Sequence, residues 1–478
     1  MSTIPQFFEN SARKFPNKTA LIIDKKNYTY KELEQQIRSF SSAILRYPQK
    51  SVISIMFENS LEFVVSYIGI LRAGCIAHLI MPGITERNLV EQIQSAKPRA
   101  IVTSKDFFLK CQKIGDDKFE ILEFSDLKPN ETKYDRKLNS NDFAYLIYTS
   151  GTTSNPKGVG ISHGNVVFTT NNIVSVLKYV ESDIDVLPLP LAHSFALGCM
   201  HTSFCVGSTL VLHKNAIDLD KILHSINSNT ATTFAAVPTT LTKMLTHPFL
   251  HEHMSDLRLI ITNSTSIPPS TVREYYNLLK KGKLATYYGL TEASRSTFMI
   301  FDKLAGRESS VGLPAPGVQI KLMNEKNQES NEGVIWIKGN NVIQSYWNNS
   351  EADQNITDSW LKTGDLGYRD SLGYLFLKGR SDDVINVGGE KVVPEEIESI
   401  VKTLPGIEEI IAVGIPHDTL GQVVKLFIRK SHNSTIQKSE IISFCIKNLE
   451  RYKVPTQVEF IDKIPRTEYG KIMRFKLK

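Results

Sequence analysis

The sequence predicts an α/β protein: a large N-terminal domain with parallel or mixed sheets flanked by helices, plus a small α+β C-terminal domain. Three observations lead there. Apolar strand-like runs alternate with helical patterns through most of the chain, the grammar of parallel sheets covered on both faces. After about Gly312 the pattern turns to hairpin-like β segments. At 478 residues the chain is also too long for one ordinary core.

"TYKELEQQIRSFSSAIL" opens the alternation. Thr29 and Glu32 are spaced as a capping box, and Leu33, Ile37, Phe40 and Ile44 share one helical stripe. "SVISIMF" reads as a strand, "SLEFVVSYIGILRAG" as a helix ending in Gly74, and "CIAHLI" as a strand. A helix from Thr85 to Ser95 then leads to the strand "RAIVTS". "TATTFAAV", "LRLIIT" and "LATYYG" are further short strands between helices. "GVQIKLMNEKNQESNEGVIWIKG" reads as strands joined by a polar turn, and "GYLFLKGRSDDVINVGG" keeps β character. From Glu390 on come a helix ("PEEIESIVKTL"), strands ("EIIAVGI", "VVKLFIR"), a helix ("KSEIISFCIKNLE") and a strand ("QVEFID"). The expected domains are residues 1–380 and 381–478, with the boundary in "KGRSDD".

With 41% apolar and 22% charged residues, the composition is that of a globular chain, neither disordered nor membrane-embedded. No apolar run is long enough to span a bilayer, and "MSTIPQFFENSARKFPNK" lacks the parts of a signal peptide. A cytoplasmic location without stable membrane insertion is expected. The net charge of +6 is scattered, which gives no argument for nucleic acid but suits an anionic substrate. Cys75, Cys111, Cys199, Cys205 and Cys445 include no CxxC pair and read as buried thiols.

The chemistry concentrates in "YTSGTTSNPKGVGISHGN", Tyr148 to Asn165. Hydroxyls, glycines and one lysine in so short a stretch suit an anion, and phosphate first. An ordinary Walker loop fails, because Pro156 stands where glycine is required and Gly158 follows Lys157. Taken alone, the stretch can also be read as a flexible polar loop between two elements, though the anion reading fits it better.

It does not stand alone. The stretch resembles the phosphate loop of the adenylate-forming superfamily: acyl-CoA synthetases, adenylation domains of peptide synthetases and luciferases. In the same order as in that family come "LPLAHSFALG", similar to its acyl-pocket segment, "YYGLTEAS", similar to its nucleotide segment, and the glycine-rich "SVGLPAPGVQIK" and "GVIWIKGNNVIQSYW". "WLKTGDLGYRDSLGYLFLKGRSDDVINVGGEKVVPEEIE" and the C-terminal "RYKVPTQVEFIDKIPRTEYGK" follow. The resemblance covers essentially the whole chain.

It implies attack of a carboxylate on ATP, giving acyl-AMP and pyrophosphate, then acyl transfer to a thiol. Thr149, Ser150, Gly151, Thr152, Thr153 and Lys157 would wrap the β- and γ-phosphates. Tyr288, with Gly289 beside it, would stack on adenine, and Thr291 would face a phosphate as a helix N-cap hydroxyl. Glu292 would hold Mg²⁺. Asp365 would accept the ribose hydroxyls, and Arg380 would reach ribose or phosphate. Lys471 would stabilise charge at the α-phosphate, Asp382 would be the hinge of a mobile small domain, and Gly389 would lie along pantetheine.

The acyl-pocket segment "LAHSFALG" contains no acidic residue to pair an α-ammonium, so the expected acid is fatty, aryl or short acyl without an α-amine. His193 would close that pocket near the carboxylate, and Arg295 could meet a second polar group on the acid. The sequence departs from the family at Ser154 and Asn386, and at "TNSTSIP" (Thr262 to Pro268), which replaces a Gly- and Ala-rich segment. Either CoA or the phosphopantetheine of an acyl carrier protein could supply the thiol. A non-catalytic binder would be favoured if Lys471, Glu292 or Asp365 were missing, and all three are present.

Overall fold

The computed structural model describes residues 2–477 apart from 115–118, 130–135, 150–156, 249, 251–253, 255, 389 and 467–471. It divides into two compact units. One takes the chain to Ile320 and returns for Ile337–Leu361. The other takes Lys321–Trp336 and continues from Lys362.

The first unit holds two sheets. In one, Glu120–Glu123, Ala100–Thr103, Val52–Met56, Ile76–Ile80 and Phe143–Thr149 lie side by side and parallel, closed by the antiparallel Lys157–Ser162. The burial pattern explains why: Val52–Met56 and Ile76–Ile80 are buried at every position, as strands covered on both faces must be, and their two polar residues, Ser54 and His78, hydrogen-bond each other at 2.8 Å. Helix Tyr30–Ile44 starts as expected, with Thr29 Oγ1 accepting the Glu32 amide and Glu32 Oε2 accepting the Thr29 amide. Its stripe of Leu33, Ile37, Phe40 and Ile44 is buried. Helix Leu61–Arg72 ends before Gly74, whose φ of +69° stops it.

In the second sheet, Thr19–Ile23, Thr209–Leu212, Ile184–Leu187, Thr233–Ala235, Leu259–Thr262 and Lys283–Tyr288 run parallel. Thr297–Ile300 and Ser310–Pro314 then add antiparallel strands. Gly312 belongs to that switch: its φ is +95°, and a Cβ there would meet the Phe298 carbonyl oxygen at 1.8 Å.

The second unit carries Asp365 to Arg369 paired antiparallel with the strand Leu375–Arg380. It also holds a sheet ordered Glu390–Val392, Ile385–Val387, Gly421–Lys430, Ile407–His417, with Gln457–Phe460 parallel to Gly421–Lys430. Helices Pro394–Val401 and Lys438–Asn448 bury Ile397, Val401, Ile441 and Cys445 in its core. The α/β class with a smaller α+β part is therefore as expected. The cysteines are free, four buried and Cys205 only partly so. No helix among the described residues is long and apolar enough to cross a membrane.

Candidate functional site

Strands Phe143–Thr149 and Lys157–Ser162 pair with Thr149 opposite Lys157 and Tyr148 opposite Gly158. The two ends of the hydroxyl-rich segment are thus neighbours across a ladder. Ser150, Gly151, Thr152, Thr153 and Ser154 lie outside the described residues. Gly158 is needed for close approach, because a Cβ would press on Trp347 and the Tyr148 ring at 3.1 Å. The glycine-rich segment before Trp347 arrives alongside: Tyr346 bridges Val159, and the Trp347 amide donates to the Gly158 carbonyl at 2.8 Å.

Tyr288 and Gly289 end strand Lys283–Tyr288 and open a tight turn. The amides and carbonyls of Leu290 and Ala293 bond reciprocally at 3.1 and 3.2 Å. Gly289 has no room for a side chain, since a Cβ would meet the Arg295 nitrogen at 2.5 Å and the Ala293 oxygen at 2.6 Å. This corrects one expectation. Thr291 caps no helix, because the reciprocal bonds fold the chain straight back into the antiparallel strand Thr297–Ile300. Its hydroxyl-bearing side chain instead lines a cavity shared with Asn165, Ser194, His201, Ser294 and Arg295.

Glu292 is half-buried, and its Oε1 accepts a hydrogen bond from the Tyr346 hydroxyl at 3.1 Å. Tyr346 therefore ties the Lys157–Ser162 strand to the Glu292 turn. The sequence reading passed over it, although it sits in the quoted "GNNVIQSYW". His193 does not line the cavity. It is the N-cap of helix Ser194–Val206, its Nδ1 accepting the Phe195 amide at 3.4 Å, while its neighbour Ser194 faces the cavity.

Arg295 is buried at 5% exposure with φ +55°. Its Nη2 donates to the Ser194 and Phe195 carbonyls, both at 3.2 Å, and Nη1 donates to Ser294 Oγ at 2.6 Å. The guanidinium lies 4.9 Å from the centre of the Tyr287 ring. Burial, with Arg295 adding to it, pushes His201 down to about 3, so that imidazole is neutral. Next to the strand that ends at Tyr288, Asn263 Nδ2 donates to the Tyr287 carbonyl at 2.5 Å, and Ser264 takes φ +90°.

In the second unit, Asp365 and Arg380 are directly opposed across their strand pair, with Nη1 to Oδ1 at 2.9 Å. Arg380 also donates to the Thr363 carbonyl at 2.9 Å and lies 3.5 Å from Asp382, which is exposed in a turn. Gly389 and Lys471 lie outside the described residues. What flanks Lys471 is described: Arg466 bridges Ile472, and the Met473 amide donates to the Pro465 carbonyl at 2.9 Å. Arg474 anchors this end on Glu398 (2.5 Å), Glu395 (2.9 Å) and Asp383 (3.5 Å). Burial pushes the Glu395 carboxyl up to about 7, against the pull of Arg474. Arg474 was overlooked in the sequence, where only its place three residues after Lys471 marks it.

Residues 8–347 match the family described as AMP-binding enzyme, and residues 396–471 its C-terminal domain. The chain belongs to the AMP-binding enzyme family. Among curated relatives it is 30% identical to an oxalate–CoA ligase of Arabidopsis thaliana, covering 99% of this chain and 97% of that protein. It is 27% identical to a long-chain-fatty-acid–CoA ligase of Haemophilus influenzae, covering 99% and 93%. Among solved structures, it resembles the o-succinylbenzoate CoA synthetase of Bacillus subtilis in complex with its acyl-adenylate intermediate. The TM-score is 0.91 at 26% identity, covering 99% of this chain and 98% of that one. The same synthetase with ATP and a magnesium ion matches at a TM-score of 0.90, with 26% identity and 98% of each chain covered.

Proposed function

We propose that this protein is an AMP-forming acid–thiol ligase that activates a carboxylic acid with ATP and passes the acyl group to CoA. The observation that carries the reading is Tyr346, which joins the strand beginning at Lys157 to the carboxylate of Glu292. The two charged groups the resemblance assigns to polyphosphate and metal thus belong to one bonded framework. The relatives' names support a CoA acceptor and differ over the acid.

The chemistry brings a carboxylate against a polyphosphate, so the site must offset two anions and hold them in line. Lys157 supplies positive charge at the mouth of the hydroxyl-rich segment. Glu292 makes no ion pair with a cation among the described residues and keeps Oε2 clear of Tyr346, which suits a hard divalent ion. No cluster of three or more His, Cys, Asp or Glu among the described residues could hold a metal unaided. That fits magnesium, which keeps water and phosphate oxygens as ligands. Bound there, it would neutralise charge on the phosphates. Asp365, oriented by Arg380, would accept the ribose hydroxyls, and Tyr288 would pack on the base.

Lys471 would serve adenylation from the small domain beyond residue 381, with Asp382 as pivot and Gly389 along the thiol's path. The acid lacks an α-amine: no acidic residue lines the cavity beside Thr291, and Arg295 would repel an ammonium. A carrier protein's phosphopantetheine is the second reading, favoured by Ile446 and Phe475, 63% and 51% exposed on the second unit.

The test is product analysis. With ATP, magnesium, CoA and an accepted acid, mass spectrometry should find acyl-CoA, AMP and pyrophosphate in equal amounts. AMP and pyrophosphate without acyl-CoA would favour the carrier, and ADP in place of AMP would contradict the reading. Lys471→Ala should lose adenylation and keep thioester formation from a supplied acyl-adenylate.

A further inference from the structure

Arg295 is the unexplained charge of the first unit. Arginine cannot shed its charge by titrating at any pH a protein meets, so a buried guanidinium must be offset by acceptors or an anion. Its five N–H donors make three bonds, two to backbone carbonyls and one to a hydroxyl. The Nε–H is buried without any hydrogen-bond partner, and among the described residues no carboxylate forms an ion pair with it. Leaving a charged donor unmet in this way is costly.

The local backbone is bent toward placing that charge. Arg295 itself takes a left-handed conformation that a side-chain-bearing residue adopts at a cost of about 1–2 kcal/mol. Gly198 sits inside helix Ser194–Val206, where glycine weakens a helix by about 0.5–1 kcal/mol. A Cβ on Gly198 would stand 1.9 Å from Arg295 Nη2, so the missing side chain is what admits the guanidinium.

The position is equally specific. Arg295 lines the polar cavity that also holds Thr291 and Asn165. It also lines an apolar one bounded by Ile173, Leu177, Phe195 and Tyr287. An acid held beside Thr291 meets the guanidinium where the apolar space begins. With His201 neutral, no second cation competes for an anion in that cavity.

We infer that Arg295 is a specificity-determining residue that binds a second carboxylate on the acid, making the substrate a short dicarboxylic acid. The inference rests on the reading of the protein as a carboxylate-activating ligase. The first carboxylate is adenylated, and the second fills the unmet donors of Arg295 by charge-assisted hydrogen bonds.

The test compares matched pairs of acids, each short monocarboxylic acid beside the dicarboxylic acid of the same chain length. Two readouts are used on the full chain: acid-dependent ATP–pyrophosphate exchange, and the thermal shift given by each acid alone, without nucleotide. At least one diacid should exchange with kcat/KM about a hundredfold above its monoacid partner, a difference of about 2.7 kcal/mol. It should also raise the melting temperature. Arg295→Met should raise KM for that diacid far more than it lowers kcat, abolish its thermal shift, and bring the diacid-to-monoacid ratio of kcat/KM down toward one. Arg295→Lys should recover part of the affinity. A wild-type enzyme that prefers monoacids overturns the inference while leaving the ligase reading intact. A diacid preference that survives in Arg295→Met or, should that variant not fold, in Arg295→Lys at full strength also overturns it. Exchange with no acid of either kind removes the ligase reading and this inference with it.

Discussion

Arg474→Met keeps the length of the side chain and removes the one cation that faces three carboxylates. In the folded unit, Arg474 is 11% exposed, Glu398 15%, Asp383 18% and Glu395 34%. The variant leaves Glu398 and Asp383 largely out of water with no partner from Arg474, and the Ala412 carbonyl loses its 2.8 Å donor. Breaking a buried pair by removing one partner costs about 3–5 kcal/mol. Glu395 is accessible enough for solvent to screen its share, so the lower end applies. For a unit of this size, that lowers its melting transition by about 12 °C or more.

The effect has a sign in pH. The Glu395 carboxyl is raised to about 7 in the folded protein against an ordinary 4.5. The folded state therefore binds more protons, and the contribution to stability falls as pH rises through that window. Without Arg474 the Glu395 carboxyl loses the cation that pulls it down and is pushed up further, so the variant's deficit should be larger near pH 8 than near pH 5. Differential scanning calorimetry of the full chain at both pH values is the assay. A variant melting with the wild type, or a deficit independent of pH, would refute the argument.

Three other outcomes are expected. Gly312→Ala sets a Cβ against the Phe298 carbonyl oxygen at a φ of +95°; it should cost more than about 3 kcal/mol in urea unfolding, and an unchanged midpoint would contradict the strand geometry. Asp185 is fully buried and pushed up to about 7 by burial. Its proton-bound folded form makes stability fall as pH rises from about 4 through 7, so Asp185→Asn should flatten that slope in thermal melts and be the more stable protein near pH 8. Tyr346→Phe removes the hydroxyl on Glu292; about a tenfold rise in KM for magnesium–ATP with little change in melting temperature is expected, and an unchanged KM would sever Tyr346 from the site.

Much of the fold was legible because it rests on local signals. The Thr29–Glu32 box begins its helix, the apolar runs at Val52–Met56 and Ile76–Ile80 are buried strands, and Gly74 stops a helix by its positive φ. Local signals failed where long-range pairing decides. "GLTEAS" has the look of a helix start, yet Ala293 bridges Val342 and the chain reverses into a strand. The roles of Tyr346 and Arg474 had little local mark, since their side-chain partners lie 54 and 62 or more residues away. Arg295 was visible as a polar residue near the pocket. Its burial, and the glycine at 198 that makes room for it, belong to the packed structure alone.

The most direct measurement is the exchange of labelled pyrophosphate into ATP with the acid present and CoA absent. An AMP-forming ligase must show exchange that depends on the acid and on magnesium, because adenylation reverses before any thiol arrives. Exchange that proceeds without acid, or no exchange across mono- and dicarboxylic acids alike, would contradict the account.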